Sequence, residues 1–381
     1  MNDPDATIIR PPRGADPDAT VIRPRMAPDR DPTVVRPAGR TSALPVPAAP
    51  PLPKAPPLAL QPGFRLHEYR IDSVLGQGGF GITYLATDVH LNAMVAIKEY
   101  LPEEIAFRTG ERSVSPNASR HRDRYRQGLE NFLVEARTLA TFRHPAIVRV
   151  ARFFEAHQTA YMVLEYEQGA PFRVWWPRQQ GGLGEAGLVA LLLPLLDGLA
   201  AVHAAGFLHR DIKPDNIQVR SADGSLVLLD FGSAGQTLAL ADQAAVAVTP
   251  GYSPIEQYGL GEQGAWTDLY ALAATLYWAV TGRKPPDAET RAANPGAFVP
   301  AVEAGRDRCG PAFLAAIDWA LDTDPARRPR NVAEFRRALC ADHVASLGLQ
   351  EALQRGDTVI DGAEPGAAPR PRRRRRAGAA W

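Results

Sequence analysis

Two short stretches decide how this chain reads: FLHRDIKPDN at residues 207–216 and VLLDFG at residues 227–232. The first carries Asp211, Lys213, Asp215 and Asn216; the second sets Asp230 at the end of an apolar run. Oxygen-bearing side chains gathered in this way suit hard cations and proton transfer. A lone acid in a polar turn would be only structural, so the surrounding sequence has to decide.

Upstream, FRLHEYRIDSVLGQGGFGITYLATD (64–88) alternates apolar residues around a glycine cluster. MVAIKEYL (94–101) and YMVLEY (161–166) have the same strand-like character. From about residue 187 the signal turns helical, most clearly in ALLLPLLDGLAAVHAAG. Strands with one helix come first and mostly helices follow, which predicts an α+β architecture.

Residues 1–63 hold 16 of the 35 prolines and almost no aromatics. Such a composition buries too little surface to offset chain entropy, so this segment is expected to be disordered, partly polyproline II. After about residue 341 the chain turns polar again and ends in PRPRRRRRAGAAW.

With 381 residues and 45% hydrophobic content, a large core is available, and a net charge of +1 exerts no global pull on nucleic acid. The two cysteines, Cys309 and Cys340, form no CxxC pair, so a reducing cytoplasm is expected rather than a disulfide or metal framework. LVALLLPLL (188–196) and LYALAATLYWAV (269–280) read as buried helices too short to span a bilayer. The start MNDPDAT lacks the basic and apolar regions of a signal peptide.

Gly76, Gly78 and Gly81 form a G-x-G-x-x-G within LGQGGFGITYLA, with Gly79 and Phe80 at its tip. A dinucleotide fold wants a helix directly after such glycines. Here ITYLATD continues as a strand, and a lysine, Lys98, follows in VAIK. Glycines between two strands form a flap that can close over phosphates, within reach of Lys98. A cation in a cleft needs a carboxylate partner, and Glu135, in the helical segment NFLVEARTLATFRHPAIV, is the expected one. Phe132, Ala136 and Leu139 should form the inner face of that helix.

The glycine loop, VAIK, HRDIKPDN and DFG, in this order, resemble the eukaryotic-type Ser/Thr protein kinase family in its bacterial branch. The resemblance spans about 66–340 and implies a bilobal fold with a β-rich N-lobe (64–167), a helical C-lobe (168–340) and a polar tail (341–381). It implies ATP with Mg2+, or Mn2+, in the cleft. Asp211 would accept the hydroxyl proton, Lys213 would offset charge on the phosphoryl group, and Asn216 and Asp230 would hold the metal. Gly76, Gly78, Gly79, Phe80, Gly81, Lys98, Glu135 and Glu165 would complete the nucleotide site. KPDN resembles Ser/Thr rather than Tyr kinases, and Asp215 would recognise a basic substrate residue.

VTPGYSPIEQY (248–258) resembles the segment that closes the activation loop, with Thr249 near the base. Glu256 should pair with Arg328, or else Arg327, and Asp268 should hold the catalytic-loop backbone. Thr83 stands where valine is usual, and PIE (254–256) keeps only the acid of the family's A-P-E. The charged stretch 103–128 reads either as a solvated insertion or as a partner surface. Thr237 is the candidate switch that Arg210 would neutralise once phosphorylated.

The phrases DPDATIIRP, DPDATVIRP and DPTVVRP place Thr7, Thr20 and Thr33 thirteen residues apart, and GDTVID adds Thr358. In a Ser/Thr kinase these are expected autophosphorylation sites and ligands for a forkhead-associated partner. A linker copied by slippage is the plainer reading. The RPRRRRR run (370–376) is either solvated or a contact to anionic membrane. A catalytically silent scaffold and a small-molecule kinase are the competing functions.

Overall fold

The computed structural model describes residues 58–110, 112–179, 183–231, 248–259 and 261–342. The three N-terminal phrases with Thr7, Thr20 and Thr33, the candidate switch Thr237, and the tail with Thr358 lie outside the described residues.

The N-terminal half is an antiparallel sheet. Its strands are β1 (Arg65–Leu66), β2 (Tyr69–Gly78), β3 (Gly81–Asp88), β4 (Ala93–Tyr100), β7 (Val150–Ala156) and β8 (Thr159–Glu165), in the order β1-β2-β3-β4-β8-β7. Alternation drives it: Ile82, Tyr84 and Ala86 on β3 are fully buried, while Thr83 and Leu85 between them are only half-buried. Helix α1 (Arg122–Leu139) packs on β7 and β8, and Phe132, Ala136 and Leu139 are buried on its inner face as the periodicity required.

The charged stretch after β4 is solvent-facing over most of its length, but it is anchored to the sheet at its start. It forms a hairpin, β5 (Ala106–Arg108) and β6 (Val114–Pro116), with Ile105, Ala106 and Val114 buried. Glu99, the neighbour of Lys98, lies fully buried beneath it. Its carboxylate accepts from the hydroxyls of Tyr84 and Tyr161, each at 2.7 Å, and from Arg108 Nη2 at 2.5 Å. Arg108 Nε in turn donates to the carbonyl of Leu58 at 2.6 Å, and Leu60 N donates to the Tyr84 hydroxyl at 3.1 Å. Ordered packing therefore begins at least six residues before the expected boundary at 64. Composition hides this, because the partners of Leu58 and Leu60 are supplied from far along the chain.

The C-terminal half is helical: α2 (Phe172–Trp175), α3 (Glu185–Ala204), α4 (Ala265–Thr281), α5 (Ala288–Ala293), α6 (Ala301–Ala304), α7 (Pro311–Ala320) and α8 (Val332–Leu339). A small sheet, β9 (Gly169–Pro171), β10 (Ile217–Arg220) and β11 (Leu226–Leu228), lies beside the junction of the halves. Helix α3 runs to 20 residues, long and apolar enough to cross a membrane by length and composition, where the apolar stretch 188–196 alone was expected to be too short. Its inward face, from Leu188 through Leu192, Leu195 and Leu199 to Val202, is nonetheless packed within this half. Helix α4 is buried almost all round and ends at Gly282, whose left-handed φ of 76° favours glycine.

Candidate active site

The glycines of LGQGGFG form the turn between β2 and β3, where Gly78 faces Gly81 and Gly76 faces Thr83. A Cβ on Gly81 would stand 1.8 Å from the carbonyl oxygen of Glu99, so only glycine lets the flap approach β4 this closely. Phe80 at the tip is partly exposed, and its carbonyl accepts from Leu101 N at 3.0 Å. Gly79 has open space around its Cα.

On β4, Lys98 sits opposite Thr83 on β3 and Met162 on β8. Its ammonium pairs with the Asp230 carboxylate rather than with Glu135, the partner the sequence suggested. Burial explains the choice. It pushes the Glu135 carboxyl up to about 8, with the Lys98 charge opposing and the Asp230 charge adding to the rise. Asp230 is only half-buried, and although desolvation still pushes against it, the charge and hydrogen bond of Lys98 together with the Lys213 charge hold it below the usual carboxylate range. Lys98 is raised for the same reason, its carboxylate neighbours overcoming burial. A neutral Glu135 cannot compete with an ionised Asp230, and its Oε1 is left buried without a hydrogen-bond partner.

The loop after α3 carries the rest. Asp211 is enclosed by donors: Lys213 Nζ at 3.0 and 2.8 Å from its two oxygens, Asn216 Nδ2 at 2.9 Å and the Thr249 hydroxyl at 2.9 Å. Lys213 Nζ also reaches Thr249 Oγ1 at 3.3 Å. Such charge-assisted contacts keep Asp211 an acceptor, able to take a proton from a hydroxyl presented to it. Asn216 uses its amide nitrogen on Asp211, while its Oδ1 is buried without a partner. An orphaned oxygen on Asn216, with the anionic Asp230, is a donor set that suits a hard divalent cation.

The loop's backbone is held from behind. Asp268, on α4, accepts from His209 N at 2.9 Å, Arg210 N at 2.7 Å and His203 Nε2 at 2.7 Å. Arg210 and Asp230 have φ of 65° and 55°, left-handed conformations that each cost about 1–3 kcal/mol in a residue with a Cβ and persist only where the surroundings enforce them. His209 is a tie that sequence reasoning missed. It is fully buried, its Nε2 donates to the carbonyl of Leu229 at 2.8 Å, and its ring lies 4.3 Å from that of Phe231. Burial lowers its pKa, which keeps it neutral and suited to link the two loops. The only sequence signal for it was its place beside Arg210 and Asp211.

Glu256 and Arg328 form a bidentate pair at 2.8 and 3.2 Å, with both side chains almost wholly buried. Arg327, the alternative, is an exposed partner of Asp324. Two other expectations change. The Asp215 carboxylate is engaged by Arg173 Nε at 2.6 Å, and that of Glu165 by Arg149 Nη1 at 2.7 Å on the surface. In each case a cation of the chain's own pairs with the acid.

The family model described as protein kinase domain matches residues 69–331. The chain belongs to the protein kinase family. Among curated relatives, serine/threonine-protein kinase pkn2 of Myxococcus xanthus is 31% identical over 73% of this chain and 32% of its own length. Serine/threonine-protein kinase C of Synechocystis is 30% identical over 78% of this chain and 54% of its own length. The chain thus spans about a third to a half of these relatives. The solved structure described as PpkA-294 apo form is 38% identical, with a TM-score of 0.64 over 74% of this chain and 99% of that one. The Mycobacterium tuberculosis PknI kinase domain, 23% identical, shares the fold with a TM-score of 0.55 over 74% of this chain and 99% of that one. These relatives are named as bacterial serine/threonine-protein kinases.

Proposed function

We propose that this kinase domain transfers the γ-phosphoryl group of ATP to Ser or Thr hydroxyls of proteins, the protein's own tail among them. The observation that carries this is the donor cage around Asp211, with Lys213 and Thr249 beside it and the Lys98–Asp230 pair across the cleft. Asp211 takes the hydroxyl proton, and Lys213 offsets charge on the group in transit. Asp230 and Asn216 would hold Mg2+, or Mn2+, which supplies charge neutralisation at the phosphates. Lys98 and the glycine flap from Gly76 to Gly81 would orient the nucleotide.

Thr7, Thr20, Thr33 and Thr358 are the proposed autophosphorylation sites, and Thr237 the proposed switch. A phosphothreonine carries about −1.5 to −2 charge at neutral pH, which a forkhead-associated partner would read, with repeated copies adding avidity. The proposed setting is cytoplasmic, with the arginine run at 370–376 against anionic membrane. The test is labelled ATP with Mg2+ on the full chain, wild type beside Asp211→Asn, followed by phosphosite mapping. Label in the wild type with a dark variant is expected. A folded, ATP-binding wild type that labels neither itself nor a protein substrate would refute the reading.

A further inference from the structure

Asp215 stands next to Asn216, whose amide nitrogen is 2.9 Å from Asp211 Oδ2, so Asp215 lies close to where an acceptor hydroxyl must sit. A lone carboxylate there would favour substrates with a basic residue near the acceptor. The chain has placed an arginine on it. Arg173 Nε donates to Asp215 Oδ2 at 2.6 Å and Arg173 Nη2 to the Tyr252 hydroxyl at 3.2 Å, while its backbone N donates to the carbonyl of Pro214 at 3.1 Å. Its guanidinium also lies 5.4 Å from the ring centroid of Trp278. Backbone and side chain are both held, so Arg173 is fixed against the loop that carries Asp211, Lys213 and Asn216.

Both partners keep a solvent-facing edge, with side chains 25% and 21% exposed, so a substrate can meet the pair. Extended chain advances about 3.3–3.6 Å per residue, which puts the pair within reach of residues two or three places from the acceptor. In each repeat the charged residue nearest the threonine is an acid two places before it: Asp5 for Thr7, Asp18 for Thr20 and Asp31 for Thr33. An uncompensated Asp215 would repel those acids, whereas Arg173 cancels its charge and adds donors suited to a carboxylate.

We propose that Arg173 determines acceptor selectivity: by neutralising Asp215 it removes any preference for basic flanks and admits threonines preceded at the second position by an acid. This rests on the Ser/Thr kinase reading above, and the second position before threonine is taken from the acids of the repeats.

The experiment uses the full chain, labelled ATP, Mg2+ and peptide libraries with a central threonine, each fixing Asp or Arg at one position from four before to four after it. Wild type should favour Asp over Arg at the second position before threonine. Arg173→Gln should reverse that ratio, and Asp215→Asn should strengthen it. Each shift should be about tenfold in kcat/KM, the scale of one net charge at a partly exposed site. Opposite shifts from the two variants could not come from a shared loss of folding. A library profile that neither variant changes, or a wild type that favours Arg there, overturns the proposal. Absence of label from every library would instead refute the kinase reading beneath it.

Discussion

Replacing Glu135 with Gln should make the ATP-free protein more stable at neutral and alkaline pH. Burial moves the carboxyl from 4.5 to about 8, so the folded state prefers the protonated form. A raised folded-state pKa gives stability that is fully present below 4.5 and is lost as pH climbs through about 8. At 1.36 kcal/mol per unit the loss tends toward ~5 kcal/mol, an upper bound for a buried group near charged neighbours. Glutamine does not titrate and keeps the size and one acceptor, so the variant escapes this loss. Urea unfolding of both proteins, without nucleotide, at several points between pH 5 and pH 8 is the assay. The unfolding free energy of the wild type should fall steadily relative to the variant, by up to about 4 kcal/mol across that window, while the m-values stay matched. Parallel curves would refute the reasoning, and so would a wild type that gains on the variant as pH rises. The second result would mean that Glu135 is ionised against Lys98 after all.

Arg108→Ala would leave the Glu99 carboxylate buried with only the two tyrosine hydroxyls, at a cost of about 3–5 kcal/mol in thermal or urea unfolding. The same change frees the carbonyl of Leu58, so limited proteolysis should cut ahead of residue 64 more readily. Arg328→Met would strand Glu256 in a dry site, with a loss of similar size, about 3–5 kcal/mol, and the double change Glu256→Leu/Arg328→Met should recover much of it. Asp268→Asn replaces one acceptor oxygen of the loop clamp with a donor, which should lower kcat by roughly 1.5–3 kcal/mol of barrier while the KM for ATP stays near its starting value. An unchanged kcat in that variant would show that the loop holds its shape without the clamp.

Much of this protein was legible in the order of its residues. Glycines between two strands, a lysine on the next strand, an acid–lysine–asparagine loop and an acid after an apolar run announce phosphoryl-transfer machinery, because each chemical role admits few side chains at fixed short spacings. The inner face of α1 followed from its period, and the Glu256–Arg328 pair needed only a choice between two adjacent arginines. What the tertiary structure alone decided is who partners whom. Lys98 could have taken Glu135 or Asp230, and the choice turned on how deeply each carboxyl is buried, which no window of sequence encodes. Asp215 looked like an open reader of basic substrates until the fold brought Arg173, 42 residues earlier, onto it. The stretch 103–128 reads as solvated because it is charged, yet its Arg108 is the counter-ion of a glutamate hidden under Tyr84 and Tyr161. Local chemistry is written locally, but desolvation and charge pairing are set by residues that meet only once the chain is folded.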